Sequence, residues 1–419
     1  MSEAAGGIYQ YGETMLDVIA ELRPRRSEEF IVLGDNVLPN DPLLRGHPWE
    51  IARLTPTSTA GEILTRLRLL LRDRLSVDQR AALVKAYARL RGGSNAPPRR
   101  RPERRDDVHA WLRSLGIDLI LYPAPLSIAL EAGIPFVMAV HDLQHRLHPE
   151  FPEVSADGEW EYREHLFRNG IGEATLILTD SEIGKEDVLS LYGDLIAPER
   201  VAVLPFLPAT PAAVQPEDRR RVRRAHRLPE RYLFYPAQLW PHKNHLRLVE
   251  ALGALSRESV AVDLVLVGSR SGPIRERTWA EVSARAHELG VESRVRHLGY
   301  VPGEDMPALY AEAVALVMPT FFGPTNIPIL EAWGLGCPVL TSDIRGVREQ
   351  AGDAAVLADP TSVEEIARGM RRLWLEEDLR RDLVARGHAR LGLYTREDYA
   401  ERLEAILDRA ATLVRKRPP

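Results

Sequence analysis

The chain has 419 residues, of which 45% are hydrophobic and 27% charged, a composition that is typical of folded proteins and argues against disorder or a fibrous repeat. Its length fits two domains of about 200 residues each. The single cysteine, Cys337, excludes an internal disulfide and a cysteine-based zinc cluster, and it favours a reducing compartment. The net charge of −5 gives no overall signal for nucleic-acid binding.

No targeting or membrane segment is indicated by the sequence. The first seven residues, Met-Ser-Glu-Ala-Ala-Gly-Gly, lack the basic and apolar regions of a signal peptide. The most apolar stretch, at 117–141, is broken by three prolines and Glu131, so it is shorter than the roughly 20 apolar residues that span a bilayer. We therefore expect a cytoplasmic protein, with a peripheral position at the inner face of the membrane as an open alternative.

Short apolar runs alternate with helical patterns along most of the chain, starting with a helix over 9–22. Strands are predicted in the first half at 30–33, 117–122, 136–141, 175–179 and 201–204, and in the second half at 232–236, 262–268, 294–298, 313–318, 338–341 and 355–357. This alternation is typical of right-handed βαβ units that build parallel sheets. We expect an α/β protein with one sheet in each half, and a ligand at the carboxyl ends of the strands.

The boundary between the halves is predicted in the proline-rich stretch 204–211, which a charged run at 217–224 follows. We expect an N-terminal domain at 1–208, a second domain at 209–395, and a helix with a basic tail at 396–419 that contacts the first domain. Gly6 and Gly7 resemble the turn after a first strand, yet no strand precedes them. The two glycines either cap a helix or let backbone N–H groups approach a phosphate.

The segment 66–113 carries 14 basic against 5 acidic residues and includes Pro-Pro-Arg-Arg-Arg at 97–101. One interpretation is a solvated helix face followed by a disordered arginine loop. The other is a patch that meets an anionic membrane surface or a phosphate-bearing acceptor. The sequence leaves both open.

The densest group of candidate site residues is Tyr-Pro-Ala-Gln-Leu-Trp-Pro-His-Lys-Asn-His at 235–245, which follows a predicted strand and opens a helix. Only four of the 55 basic residues are lysines, so Lys243 at this position is informative. It is either a solvated lysine at the start of a helix or a cation that neutralises a diphosphate.

A second group lies in Met-Pro-Thr-Phe-Phe-Gly-Pro-Thr-Asn-Ile-Pro-Ile-Leu-Glu-Ala at 318–332. Pro328 suits the first turn of a helix, and free N–H groups at Thr325 and Asn326 would face an anion or hydroxyl groups. Glu331, expected in the same first turn, either interacts with the helix dipole or accepts hydrogen bonds from a ribose.

These motifs resemble the retaining nucleotide-sugar glycosyltransferases of family 4, whose GT-B fold has two Rossmann-like domains with parallel sheets that face each other across a cleft. The resemblance runs over nearly the whole length and is strongest in the second half. It matches Ala237-Gln238 and Lys243 to the family's phosphate motif, and 323–331 to its Glu-x7-Glu motif. Segments at 336–343 and 348–350 resemble the family's closing strand and turn, and 6–9, 141–143 and 178–181 fit its acceptor domain.

The resemblance implies roles for named residues, with His141, Lys243 and Glu331 as the catalytic residues. Glu331 would bind the donor ribose and Lys243 its β-phosphate, while His141 would lie near the sugar. The implied donor-binding residues are Gly7, Gln238, Lys243, Thr325, Asn326, Ile327 and Glu331.

Two positions depart from the family pattern. Gly323 replaces the first glutamate of the Glu-x7-Glu motif, and Gln238 replaces the arginine that usually helps to hold the diphosphate. Pro-Thr-Asn-Ile-Pro and Pro-Ala-Gln-x-Trp-Pro-His-Lys-Asn-His are the normal form in one branch of the family, which these motifs resemble.

The implied reaction is transfer of a hexose from a nucleotide-diphosphate sugar to a glycan or glycolipid acceptor in bacterial cell-surface polysaccharide assembly, with retention of configuration. No Asp-x-Asp motif occurs, so we expect no metal and no cofactor, and no nucleic-acid partner. The alternatives are a catalytically silent nucleotide-sugar-binding partner of the same fold and a nucleotide-sugar 2-epimerase. A nicotinamide dehydrogenase is disfavoured, because no Gly-x-Gly-x-x-Gly follows a predicted strand.

Overall fold

A computed structural model describes residues 7–34, 37, 41–44, 46–56, 103–207 and 214–416 of the chain. Outside these ranges lie Gly6, most of the arginine-rich segment 66–113, the first two prolines after 207 and the last three residues. The two interpretations of 66–113 therefore remain predictions, as does the missing first strand.

Twelve short strands run through the described residues. They are β1 (Ile31–Leu33), β2 (Glu50–Ala52), β3 (Ile120–Tyr122), β4 (Phe136–Ala139), β5 (Leu176–Thr179), β6 (Val201–Val203), β7 (Leu233–Pro236), β8 (Leu264–Val267), β9 (Val295–His297), β10 (Ala315–Met318), β11 (Val339–Ser342) and β12 (Val356–Ala358). The eleven predicted strands are confirmed, with bounds that differ by one to three residues. The sequence reading missed β2, a short strand with an exposed glutamate and no apolar run around it.

Sixteen α-helices connect and cover these strands in the described part of the chain. They are α1 (Gly7–Leu22), α2 (Asp106–Ser114), α3 (Ile128–Glu131), α4 (Gln144–Leu147), α5 (Pro152–Ser155), α6 (Glu159–Glu173), α7 (Glu182–Tyr192), α8 (Pro216–Ala225), α9 (His245–Arg257), α10 (Pro273–Glu288), α11 (Met306–Glu312), α12 (Ile327–Gly334), α13 (Arg345–Ala351), α14 (Val363–Leu375), α15 (Glu377–Leu391) and α16 (Arg396–Arg415).

The strands form three parallel sheets. β7 to β12 make a six-stranded sheet in the order β12-β11-β10-β7-β8-β9, β3 to β6 make a four-stranded sheet in sequence order, and β1 pairs with β2 alone. The central strands of the two larger sheets are fully buried and apolar, as expected when helices cover both faces of a parallel sheet. The expected α/β class with a parallel sheet in each half is confirmed.

Three hydrophobic cores hold this arrangement together. The largest lies within 222–383 around the six-stranded sheet, and a second surrounds one face of the four-stranded sheet. The third joins α1 and α16 to the other face of the four-stranded sheet, where Tyr11 and Val18 pack with Tyr399, Leu403 and Val137. The last helix of the chain therefore packs on the sheet that is built from the first half.

No helix in the described ranges is long and apolar enough to cross a membrane.

Candidate functional site

A cavity of about 360 Å³ lies between the two larger sheets, at the carboxyl ends of their strands. This is the place where open parallel sheets bind ligands, and the volume lies within the range of small-molecule sites. Seven of the predicted site residues line this cavity: Gly7, His141, Gln238, Lys243, Thr325, Asn326 and Ile327. The structure therefore brings together residues that are up to 320 positions apart in the sequence.

Lys243 reaches the cavity from a short 3-10 turn, Pro241–Lys243, between β7 and α9, as the sequence predicted. The residues around it are firmly anchored. The Tyr235 hydroxyl donates to the carbonyl of Lys243 at 2.9 Å, and the Asn244 side-chain amide donates to the carbonyls of Pro319 and Pro360, both at 2.8 Å. Asn244 adopts a left-handed backbone conformation, with φ of 61°, and this turns the chain into α9.

The ammonium group of Lys243 has no carboxylate within 4.0 Å among the described residues. Burial lowers its pKa to about 8, although the charges of Asp142 and Glu153 act in the opposite direction. A desolvated cation without a counter-ion is costly unless a ligand supplies the negative charge. Lys243 is therefore a candidate for binding an anion.

The loop between β10 and α12 forms the wall next to Lys243. Two hydrogen bonds tie this loop to the neighbouring turn: the Thr320 hydroxyl donates to the carbonyl of His242 at 3.2 Å, and the Phe321 amide donates to the same carbonyl at 2.8 Å. The prediction that the Asn326 amide is free is wrong, since this N–H donates to Gln350 Oε1 at 2.9 Å. Any ligand contact of Asn326 must therefore use its side chain.

Gly323, which stands where the family pattern has a glutamate, has a φ of 144° that side chains rarely adopt. An added Cβ would lie 2.6 Å from the Asn326 side-chain oxygen. The glycine is therefore part of a locally different loop rather than a glutamate site with the side chain deleted.

Glu331 does not line the cavity. Its Oε1 accepts a hydrogen bond from Gln10 of α1 at 3.1 Å, and its Oε2 accepts one from the Tyr310 hydroxyl at 2.6 Å. Since α12 begins at Ile327, Glu331 lies in the second turn of the helix, and the expectation of a first-turn position is wrong. Pro328 does occupy the first turn, as predicted.

His141 follows β4 and presents one ring nitrogen to the protein interior. Its Nε2–H donates to the carbonyl of Pro123 at 2.8 Å, and the ring lies between Tyr11 and Phe206, with centroids 4.7 and 5.6 Å away. Burial lowers the pKa of His141, so the imidazole is neutral at physiological pH and Nδ1 keeps its lone pair.

Two aspartates that were not singled out as site residues also line the cavity. Asp142 follows His141, accepts a hydrogen bond from the Gln144 amide at 3.0 Å and forms an ion pair with Arg163. Burial opposes ionisation of Asp142, but the Arg163 charge and the Gln144 hydrogen bond outweigh it and lower its pKa. Asp180 directly follows β5. Both lie directly after predicted strands, a signal in the sequence that could have identified them.

Gln238 lines the cavity and holds an arginine from another element. Nη1 of Arg275, in the first turn of α10, donates to Gln238 Oε1 at 2.6 Å, and the guanidinium carbon lies 4.6 Å from the ring centroid of Trp240. This contact was not predictable from the sequence, because the two residues belong to different βα units.

Besides the hydrogen bond between Gln10 and Glu331, two groups of polar contacts join the halves in the described part of the chain. Glu153 of α5 accepts hydrogen bonds from the amide of His242 at 3.1 Å and from its Nδ1 at 2.6 Å. Arg345 of α13 pairs with Glu186 and Asp187 of α7. At a third point Gly7 approaches Ile327 so closely that an added Cβ would lie 2.9 Å from Ile327 Cδ1. The cavity is thus enclosed by direct contacts between the two halves.

Among the residues that the structure describes, no group of three or more histidine, cysteine, aspartate or glutamate side chains could hold a metal ion.

Comparison with known proteins finds a family match in the second half of the chain. Residues 217–390, which carry Lys243 and the loop before α12, match the family model "Glycosyl transferases group 1". The O-antigen chain mannosyltransferase B of Escherichia coli is 30% identical over 253 residues, which are 59% of this chain and 64% of that protein. The match therefore spans less than two thirds of this relative.

Solved structures extend the likeness to the whole chain. Anabaena Alr3699/HepE in complex with UDP has a TM-score of 0.65 at 17% identity, covering 98% of each chain, and the same protein was also solved with UDP-glucose. WaaG, a glycosyltransferase involved in lipopolysaccharide biosynthesis, has a TM-score of 0.60 at 19% identity, covering 94% of each chain. The expected fold is confirmed: the chain has the GT-B fold, and its second half matches the group 1 glycosyl transferases.

Proposed function

We propose that this protein is a glycosyltransferase that moves a hexose from a nucleotide-diphosphate sugar to a glycan or lipid-linked acceptor. One observation carries the proposal: Lys243 is a desolvated cation without a carboxylate partner among the described residues, and it lies in a cavity between two parallel sheets. A diphosphate supplies the missing negative charge and is also the leaving group of such a reaction.

The proposed donor position follows from the cavity walls. The diphosphate binds at Lys243, and the hexose lies along the loop that contains Thr325, Asn326 and Ile327. Negative charge that develops on the departing diphosphate is stabilised by the ammonium group of Lys243 and by the N-terminal ends of α9 and α12. This arrangement supports transfer without a metal ion, because the protein itself provides the positive charge.

Glu331 keeps its proposed role as ribose ligand with one modification. Both of its oxygens already accept hydrogen bonds, from Gln10 and Tyr310. A ribose hydroxyl at Glu331 therefore replaces the Gln10 contact or shares the Oε1 lone pairs with it. The Tyr310 contact holds the carboxylate in position.

Several further features are part of the proposal. The reaction retains the configuration of the sugar, and the product belongs to a bacterial cell-surface polysaccharide, since relatives include an O-antigen mannosyltransferase. The protein acts in the cytoplasm, at the inner face of the membrane if the arginine-rich segment 66–113 binds lipid.

We propose that the domains are 1–208 and 209–395, and that the segment 396–419 associates with the first domain.

A silent nucleotide-sugar-binding protein is the second candidate function. The observation in its favour is Gly323, whose backbone conformation disfavours the glutamate of the family pattern. Such a silent protein would have the same donor site as the enzyme and would differ from the enzyme only in its lack of turnover.

The experiment that tests the donor site is a thermal-shift and calorimetric screen with UDP, GDP, ADP and their glucose or mannose conjugates. The protein should be stabilised by one nucleoside diphosphate, and Lys243→Met should weaken that binding about 10- to 100-fold, the usual range for loss of a charge-assisted contact. Lys416→Met, at the exposed end of α16, is the matched control and should bind like the parent. Equal binding by the parent and Lys243→Met would show that the anion site is elsewhere.

A further inference from the structure

Asp180 has a buried carboxyl group and lies in the cavity wall, as do residues of the loop between β10 and α12. It is 4% exposed and lies between the end of β5 and the start of α7. The neighbouring Ser181 is used as the cap of α7, since its hydroxyl accepts the Gly184 amide at 3.0 Å. The backbone that carries Asp180 is thus fixed by a strand on one side and a capped helix on the other.

No cation neutralises this carboxyl group. Among the described residues, no arginine, lysine or histidine nitrogen lies within 4.0 Å of Asp180, and its buried Oδ1 has no hydrogen-bond partner. Asp142, in the same cavity, has its Arg163 ion pair and its backbone hydrogen bond. The two aspartates therefore have opposite environments.

The surroundings of Asp180 favour its protonated form. Burial raises its pKa well above the ordinary value, and the charges of Asp142 and of Glu349 on α13 add to this effect. Tyr11 of α1 also faces it and is itself held in the neutral form by burial. The pKa values of Asp142 and His141 are shifted in the opposite direction, below their ordinary values.

A buried carboxyl oxygen without a hydrogen-bond partner costs stability. Such residues are typically kept for function rather than for stability. Asp180 lies on the wall contributed by the first half, across the cavity from the residues proposed to hold the donor. In the function proposed above, this wall is the one left for the acceptor.

We propose that Asp180 binds the attacking hydroxyl group of the acceptor and takes up its proton. This role rests on the function proposed above. The acceptor oxygen forms a bond to the anomeric carbon, and the bond between that carbon and the diphosphate oxygen breaks. The departing diphosphate keeps the electron pair, and the hydroxyl proton moves to the Asp180 carboxylate, so charge and atoms balance.

Asp180→Asn tests this role, because the amide keeps the shape and can still form hydrogen bonds but cannot accept the proton. The parent, Asp180→Asn and the control Asp194→Asn, an exposed aspartate of the same half, are given UDP-glucose, UDP-galactose, UDP-N-acetylglucosamine, GDP-mannose and ADP-glucose with octyl α-mannoside and octyl β-glucoside. Release of the nucleoside diphosphate and binding of the free nucleoside diphosphate are measured separately.

We expect Asp180→Asn to lower kcat at least 100-fold, as loss of general base catalysis typically does. Its affinity for the nucleoside diphosphate should stay within twofold of the parent, and its melting temperature should be equal or higher. We also expect kcat/KM of the parent to rise with pH above the ordinary carboxyl range, and this rise should disappear in Asp180→Asn.

A fall in kcat of less than tenfold would overturn the assignment, as would a comparable fall in Asp194→Asn. A fall that comes with weaker nucleotide binding or a lower melting temperature would assign Asp180 a structural role instead. If the parent itself releases no nucleoside diphosphate from any donor, the proposed transferase function fails first, and the role of Asp180 fails with it.

Discussion

Gln10 of the first helix donates a hydrogen bond to Glu331 of α12, with 3.1 Å between Nε2 and Oε1. This bond joins the two halves of the chain across the cleft. The contact places a side chain of the first helix on the carboxylate that we propose as the ligand of the donor ribose. It implies that ribose binding and the contact between the halves compete for the same oxygen.

Removal of Gln10 should therefore favour the nucleotide. Gln10→Ala leaves Glu331 Oε1 without its partner, and we expect it to bind the preferred nucleoside diphosphate about two- to tenfold more tightly, equivalent to roughly 0.5–1.4 kcal/mol for one hydrogen bond. Calorimetry measures the effect, and Glu331→Gln should change the affinity in the opposite direction. Weaker binding by Gln10→Ala would mean that Gln10 itself contacts the ligand.

The lowered pKa of Lys243 predicts a pH dependence of nucleotide binding. Its ammonium group loses the proton as pH rises through about 8, so affinity for the nucleoside diphosphate should fall above that pH and stay nearly constant below pH 7. Lys243→Met should bind weakly at every pH, without this transition. Affinities measured by calorimetry from pH 6 to pH 9.5 check the point, and an unchanged affinity in the parent up to pH 9.5 would contradict it.

The burial of His242 predicts sensitivity to acid, although its contact with Glu153 acts in the opposite direction. Burial lowers the pKa of His242 to about 4 from an ordinary value of 6.5, so the unfolded chain binds more protons than the folded one between these two pH values. Stability should therefore fall as pH decreases from about 6.5 to 4. Thermal unfolding in this range measures it, and His242→Asn, which keeps a donor for Glu153, should reduce the slope.

A single added methyl group at Gly323 tests how rigid the surrounding loop is. Gly323→Ala forces a side chain into a backbone conformation with φ of 144° and against Asn326, so we expect a loss of about 1–3 kcal/mol in unfolding free energy. Gly303→Ala is the matched control, because an added Cβ meets nothing within 4 Å there. Equal stability of the two variants would show that the loop rearranges without cost.

The fold was predictable because its strands are short apolar runs at regular intervals. Buried strands such as β4 and β8 have no exposed polar residue, so the hydrophobic pattern identifies them directly. β2 lacks that pattern and depends on its single partner β1, which explains why it was missed. The helix at α1 followed from its periodic apolar residues.

A site residue was predictable where one contiguous segment contains the residue and also determines its position in the fold. Lys243 and the loop before α12 are of this kind, since the strand, the turn and the helix are contiguous. The partners of Glu331, His242 and Gln238 are not, because each is supplied by an element far away in the sequence. Such pairings depend on how the halves pack, which spacing within one segment cannot reveal.

The most direct measurement is the release of nucleoside diphosphate from a panel of nucleotide sugars by the parent and by Lys243→Met, with both alkyl glycosides as acceptors. The account predicts that the parent turns over at least one donor, that the acceptor speeds this turnover, and that Lys243→Met loses it while remaining folded. Binding of a nucleotide sugar by the parent with no turnover of any donor would contradict the account and select the silent binding protein.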